Sequence, residues 1–243
     1  VNLSSFDMLL DHYINKGFRV IALDRLGMGK SDKPKGLLEI KDHAKMIKDF
    51  IEKKKLKRIT LIGNSLGGVI SLKFAQKYSK FIKNLILIAP GGLKSFPAEA
   101  YAFMKDNYDV RLGKRYSNVT AAAYYFKNSA FQWNNQLEQL LQTRKRLMSH
   151  KDWLPVRASI KRDALAYLKA ADEISNNIHK IIVPTLAIFA KNDKIIDSST
   201  SIDNIKMNTK GWKIKTIDQC GHLVQWEKPN ELKKIIDEFL INS

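Results

Sequence analysis

A serine flanked by glycines stands in Gly63-Asn64-Ser65-Leu66-Gly67-Gly68, directly after an apolar run and directly before a helical pattern. A serine hydroxyl is a poor nucleophile at neutral pH. It needs an imidazole to take its proton, and the imidazole needs a carboxylate to hold it. Two later segments supply such partners: His222 follows Cys220-Gly221 after a run ending near Ile217, and Asp193 follows the run Thr185 to Ala190. On so sharp a turn the serine backbone is strained, and small residues two positions to either side would let strand and helix pass closely. The Leu66 amide, at the helix N-terminus, is the expected donor to an oxyanion developing on the attacked carbonyl. The competing reading is a glycine-rich turn that binds phosphate. Neither a Walker lysine nor a G-x-G-x-x-G follows, which disfavours it.

The base is the better defined of the two partners. His12 and His43 lie in surface-type helical patterns, His150 lies in a long helical stretch and His179 precedes a strand. The acid has rivals in Asp197 and Asp218. Asp193 is favoured because it directly follows its strand, whereas Asp197 lies a turn further on and Asp218 precedes the base by four residues. Serine, acid and base come in that order, each after the carboxyl end of an apolar run, where open α/β sheets place their ligands.

The elements that would position them alternate along the chain. Short β-rich runs are expected at Phe18 to Leu23, Arg58 to Ile62, Asn84 to Ala89, Thr185 to Ala190 and Trp212 to Ile217. Helical patterns separate them at about 5–16, 40–55, 66–79, 198–208 and 230–241, which reads as βαβ units feeding a mainly parallel sheet. Between about Leu93 and Lys180 the alternation stops and helical spacing dominates. In Trp133 to Met148 the residues Trp133, Leu137, Leu140, Leu141, Leu147 and Met148 fall largely on one face. The expected organisation is an α/β core over 1–92 and 179–243 with a helical cap inserted over 93–178.

Composition narrows the remaining classes. The 243 residues are 44% hydrophobic and 27% charged, an ordinary globular balance. Forty-two basic against 24 acidic residues give a formal charge of +18, which raises nucleic acid as a partner. The lysines are scattered at helical spacing rather than clustered, and the densest runs, Lys53-Lys54-Lys55 and Arg144-Lys145-Arg146, lack interleaved aromatics for base stacking. A solvated basic surface is therefore the expectation. One cysteine, Cys220, excludes an intramolecular disulfide and fits a reduced, cytoplasmic setting. No run has the length of a membrane-spanning helix, no cofactor is implied, and no His-Glu cluster has metal-ligand spacing.

These residues together resemble the α/β-hydrolase superfamily over essentially the whole chain outside the cap. Gly63 to Gly68 looks like its nucleophile elbow, Asn192-Asp193 like its acid turn and Gly221-His222 like its base loop. Asp24 to Pro34 looks like the turn after its fourth strand, which by that resemblance is structural and shapes the floor of the site. Closer similarity links Gly63-Asn64-Ser65 and Cys220 to Glu227 with the carbon–carbon bond hydrolases of meta-ring-fission products. Those enzymes carry a cap arginine and a tryptophan after the histidine; here His150 and Leu223 stand at the matching positions. Carboxylic-ester hydrolysis through an acyl-enzyme is therefore placed first, C–C hydrolysis second, and a catalytically impaired binding protein third. The implied substrate is a small ester with an apolar acyl or aryl part, in a pocket lined by Asn64, Leu223, Trp226, His150 and Trp153 under an aromatic-rich cap.

The beginning of the chain departs from the pattern. The superfamily's His-Gly loop, which gives the second oxyanion donor, does not appear, and Val1 to Phe6 resembles what usually follows it. The resemblance implies that roughly forty residues upstream are absent, since without them one position in the sheet is vacant and strand edges are unpaired; the expectation is either an incomplete sequence or a protein catalytically impaired for want of that oxyanion donor.

Overall fold

The computed structural model describes residues 3–34, 36, 38–96, 99, 102, 119–148 and 153–243. Its centre is a sheet of four parallel strands in sequence order: β1 (Ile59–Asn64), β2 (Ile82–Ile88), β3 (Thr185–Ala190) and β4 (Lys213–Ile217). The register sets Ile62 beside Ile86, Leu87 beside Ala187 and Phe189 beside Thr216. Parallel neighbours need a crossover between them. α3 (Leu66–Tyr78) supplies it for the first pair and α7 (Ser198–Asn208) for the last. Between β2 and β3 the chain makes a long helical excursion through α4 (Val119–Asn128), α5 (Asn135–Met148) and α6 (Trp153–Asn176).

The two faces of the sheet fill differently because side chains alternate along a strand. Leu85, Leu87, Ala187 and Phe189 point into a core built with α2 (Ile40–Lys53), α3, α6 and α7. Ile86, Ile88, Leu186 and Ile188 point the other way, onto α1 (Asp7–Asn15), α8 (Val224–Glu227) and α9 (Pro229–Ile241). Leu85 to Ile88 are each wholly buried, and side chains of this kind contribute about 1.5–3 kcal/mol apiece. β4 instead alternates, with Lys213 and Lys215 outward, as suits an edge strand.

Helix ends follow local chemistry. At the start of α2 the Glu39 N–H donates to Asp42 Oδ2 at 2.8 Å, one half of a reciprocal capping box. Asp197 caps α7 by accepting from the Thr200 N–H, and Pro229 opens α9.

Two expectations from the sequence are corrected. Residues 18–25 carry no regular structure, so the expected strand at Phe18 to Leu23 does not form. A strand exists through its ladder, and β1, at the end of the sheet, pairs with β2 alone among the described residues. Phe18, Ile21 and Leu23 are accordingly exposed. In α5, Leu137, Leu140 and Leu141 are buried as the periodicity requires, but Trp133 and Leu147 are exposed. Trp133 precedes the helix, and its indole donates to Glu138 while its ring stacks edge-on against Phe126.

The Asp24 to Pro34 segment is a self-bonded turn. Asp24 Oδ2 accepts from Lys30 N at 3.0 Å, and its main-chain oxygen accepts from Ser31 Oγ. Gly29 has φ +50°, and a Cβ there would fall on the Asp24 carboxylate, so both the conformation and the space demand glycine. Arg25 pairs with buried Asp163 of α6, and Arg162 of the same helix donates to the main-chain oxygens of Pro34 and Gly36. The turn is thereby bound to the helical excursion. The same Asp163 meets wholly buried His43 of α2. Burial and the Arg25 charge push the His43 pKa down to about 4.

Candidate active site

β1 ends at Asn64, and the chain reverses at Ser65 with φ 53° and ψ −117°, a left-handed conformation costing a non-glycine residue on the order of 1–3 kcal/mol. The turn persists because it is over-bonded. Ser65 N–H donates to Ile88 O at 3.0 Å, while its carbonyl accepts from Gly68, Val69 and Gly91. Close approach requires glycine at 63, where a Cβ would lie 2.4 Å from Ser71 Oγ and 2.5 Å from Gly67 O. On the other side the crowded position is Gly68, whose Cβ would meet Pro90 Cβ at 2.7 Å. At Gly67, where the sequence suggested crowding, a Cβ would meet nothing within 4 Å. Leu66 begins α3, so its N–H has no acceptor four residues back within the helix.

Asp193 follows β3 and His222 follows β4, so all three side chains rise from the carboxyl ends of parallel strands. Ser65 Oγ lies 2.9 Å from His222 Nε2, and His222 Nδ1 lies 2.8 Å from Asp193 Oδ2. The Asp193 carboxylate is wholly buried and the imidazole is 12% exposed. The other carboxylate oxygen, Asp193 Oδ1, accepts from Ile195 N at 2.7 Å and Ile196 N at 3.0 Å. A carboxylate so held keeps its negative end against Nδ1, which fixes the proton there and leaves Nε2 to accept from the serine. The rival acids are elsewhere: Asp197 caps α7 and pairs with Lys94, and Asp218 points outward to Lys191. Cys220, two residues before the base, is buried in apolar surroundings that push its thiol pKa up and keep it protonated.

The residues expected to line a pocket divide. Asn64 is already engaged: Nδ2 donates to Ile88 O at 3.0 Å and Oδ1 accepts from Gln225 Nε2 at 3.2 Å. Leu223 and Trp226 are buried against Phe126, Leu137, Leu140 and Leu141, so they join the base loop to the helical excursion. His150 lies outside the described residues. Trp153 begins α6, but its side chain is not among those described. Of the aromatic-rich stretch between Phe96 and Trp153 expected to roof the site, residues 97–98, 100–101, 103–118 and 149–152 likewise lie outside them. Among the described residues no group of His, Cys, Asp and Glu could hold a metal ion, and no helix is long and apolar enough to cross a membrane.

Two residues near His222 have partners that the sequence alone does not reveal. Gln225 reaches back to Asn64, and Glu227 gathers several main-chain N–H groups. Their spacing of three and five residues after His222 is plain in the sequence, but Asn64, Phe131 and Gln132, to which they bind, lie far along the chain.

Comparison with known proteins places this geometry in a family. The chain is 24% identical over 244 residues to a 2-hydroxy-6-oxononadienedioate/2-hydroxy-6-oxononatrienedioate hydrolase of Pseudomonas putida, covering 98% of this chain and 82% of that protein. It is 28% identical over 240 residues to a 2-hydroxy-6-oxo-6-phenylhexa-2,4-dienoate hydrolase of Comamonas testosteroni, covering 94% of this chain and 79% of that one. Among solved structures, a thermophilic esterase from Thermogutta terrifontis superposes with a TM-score of 0.81 at 19% identity, over all of this chain and 86% of the other. The family model for the α/β hydrolase fold matches residues 3–229. The chain belongs to the α/β hydrolase fold family.

Proposed function

We propose that the protein is a serine hydrolase that cleaves small carboxylic esters through an acyl-enzyme on Ser65. The observation that carries this reading is the unbroken relay from Ser65 Oγ to His222 Nε2 at 2.9 Å and from His222 Nδ1 to Asp193 Oδ2 at 2.8 Å. His222 takes the hydroxyl proton as Ser65 attacks the ester carbonyl, and Asp193 stabilises the imidazolium that results. The Leu66 N–H, at the positive end of α3, donates to the oxyanion. The imidazolium then protonates the leaving alcohol, and water, activated by the same imidazole, releases the acid. Helices α4 to α6 act as a cap over an apolar site that favours an acyl or aryl group.

A second reading has its own support. Relatives named as hydrolases of 2-hydroxy-6-oxo dienoates and dienedioates match nearly the whole chain, and Asn64-Ser65 and the base loop resemble the C–C bond hydrolases of meta-ring-fission products. The same serine relay serves either bond.

Turnover of p-nitrophenyl esters of graded chain length, set beside 2-hydroxy-6-oxo-6-phenylhexa-2,4-dienoate, separates the two. Ester turnover that vanishes in Ser65→Ala is expected. Faster turnover of the dienoate than of any ester moves the assignment to C–C hydrolysis, and ester turnover surviving Ser65→Ala overturns both. A wild-type protein inert on every substrate points instead to an impaired, ligand-binding member of the fold.

A further inference from the structure

Glu227 ends the short helix α8, five residues after the base, and its carboxylate is ringed by main-chain donors. Oε2 accepts from Phe131 N at 2.8 Å, Gln132 N at 3.2 Å and Gly221 N at 3.0 Å; Oε1 accepts from Leu223 N at 3.2 Å. Two of those donors flank His222, and two belong to the link between α4 and α5. The N–H of His222 itself donates to Ser129 O at 2.8 Å. Three consecutive amides of the base loop are thus committed, two of them to one side chain and the third to the strip of chain that the same side chain holds.

The two segments also touch directly. A Cβ on Gly221 would stand 2.6 Å from Phe131 N and 2.7 Å from Ser129 O, so glycine is needed for the backbones to run this close. Asn134 Nδ2 adds a bond to Trp226 O at 3.0 Å. Both carboxylate oxygens accept, together taking four N–H groups from two segments, and bonds to a carboxylate are roughly twice as strong as neutral ones. A glutamine of the same shape would set its NH2 against at least one of these donors in either orientation.

We infer that Glu227 is a positioning residue for His222: its carboxylate locks the base loop to the 129–132 segment, so the placement of the helical excursion sets the aim of the imidazole. The inference rests on the serine-hydrolase reading above. It says that the relay distances are held from outside the relay, and misplacement by about 1 Å costs on the order of a hundredfold in rate.

The test compares wild type, Glu227→Gln and, as a control, Asp218→Asn, whose exposed carboxylate faces Lys191. Three quantities are read at a temperature where circular dichroism shows each protein folded. They are kcat and KM for p-nitrophenyl butyrate, the rate at which a fluorophosphonate labels Ser65, and amide hydrogen exchange over 129–133 and 220–224. In Glu227→Gln, kcat and the labelling rate should fall together by roughly 10–100-fold while KM stays within about threefold. Exchange should quicken in both segments, and Asp218→Asn should match wild type. Should Glu227→Gln fail to fold, Gly221→Ala reads the same coupling, since its methyl pushes the segments apart with the carboxylate intact. Labelling within twofold of wild type in the folded variant overturns the inference, as does exchange that quickens with kcat unchanged. Wild type that is not labelled at Ser65 overturns the hydrolase reading and this role with it, an outcome distinct from the first two.

Discussion

Replacing Asp193 by asparagine probes the relay at its most enclosed member. The carboxylate is wholly buried, with Oδ1 taking the N–H groups of Ile195 and Ile196 and Oδ2 facing His222 Nδ1. An asparagine would keep its oxygen toward the two main-chain donors, because the reverse orientation leaves both without an acceptor at about 1–3 kcal/mol each. Its NH2 would then face Nδ1 and make that nitrogen an acceptor. The ring proton moves to Nε2, the atom 2.9 Å from Ser65 Oγ, and the imidazole cannot take the serine proton. A wrong tautomer of this kind lowers kcat by about 10⁴, equivalent to about 5.5 kcal/mol of barrier. The variant should fold normally, since both main-chain bonds survive. Steady-state hydrolysis of p-nitrophenyl butyrate measures the effect against a matched thermal melt. Activity within tenfold of wild type in a folded Asp193→Asn would refute the reasoning.

Other consequences follow from packing and burial. Gly63→Ala places a methyl against Ser71 Oγ and the Gly67 carbonyl, and the backbone neighbour cannot turn aside. It should destabilise by about 1–3 kcal/mol, lowering Tm in a calorimetric scan, and an unchanged Tm would contradict the crowding. His43 is wholly buried, touches Asp163, and lies in the fields of Arg25, Arg162 and Asp42; its pKa is lowered to about 4. Because the folded value lies below the unfolded one, its contribution is complete above pH about 6.5 and is lost as pH falls toward 4, amounting to about 3 kcal/mol. Urea unfolding at pH 7 and pH 4.5 should show a smaller loss in His43→Gln than in wild type, and equal losses would remove His43 from the account.

Much of this site was legible because its signals are local. A glycine two residues before a serine at a strand-to-helix junction marks the turn locally, and a Cβ at Gly63 would indeed be crowded. The four strands and the helices that cover them follow from apolar runs and helical spacing, and Thr185–Ala190 and Ser198–Asn208 fall where the sequence placed them. Phe18 to Leu23 misled because β propensity is a property of a segment, while a strand is a property of a pair. The long-range links of Gln225 and Glu227 are hidden in the sequence for the same physical reason. Their roles depend on Asn64, Phe131 and Gln132, about 95 to 160 residues away, and no spacing rule reaches across that distance. At the far side of the turn the motif position, Gly67, has open space, and the crowding falls on its neighbour Gly68.

The most direct test of a base-activated serine is to expose the protein to a fluorophosphonate and locate the adduct by peptide mass spectrometry. Stable modification of Ser65 in wild type, lost in His222→Ala, is the predicted result. No adduct on Ser65, or one formed equally well without the imidazole, would contradict it.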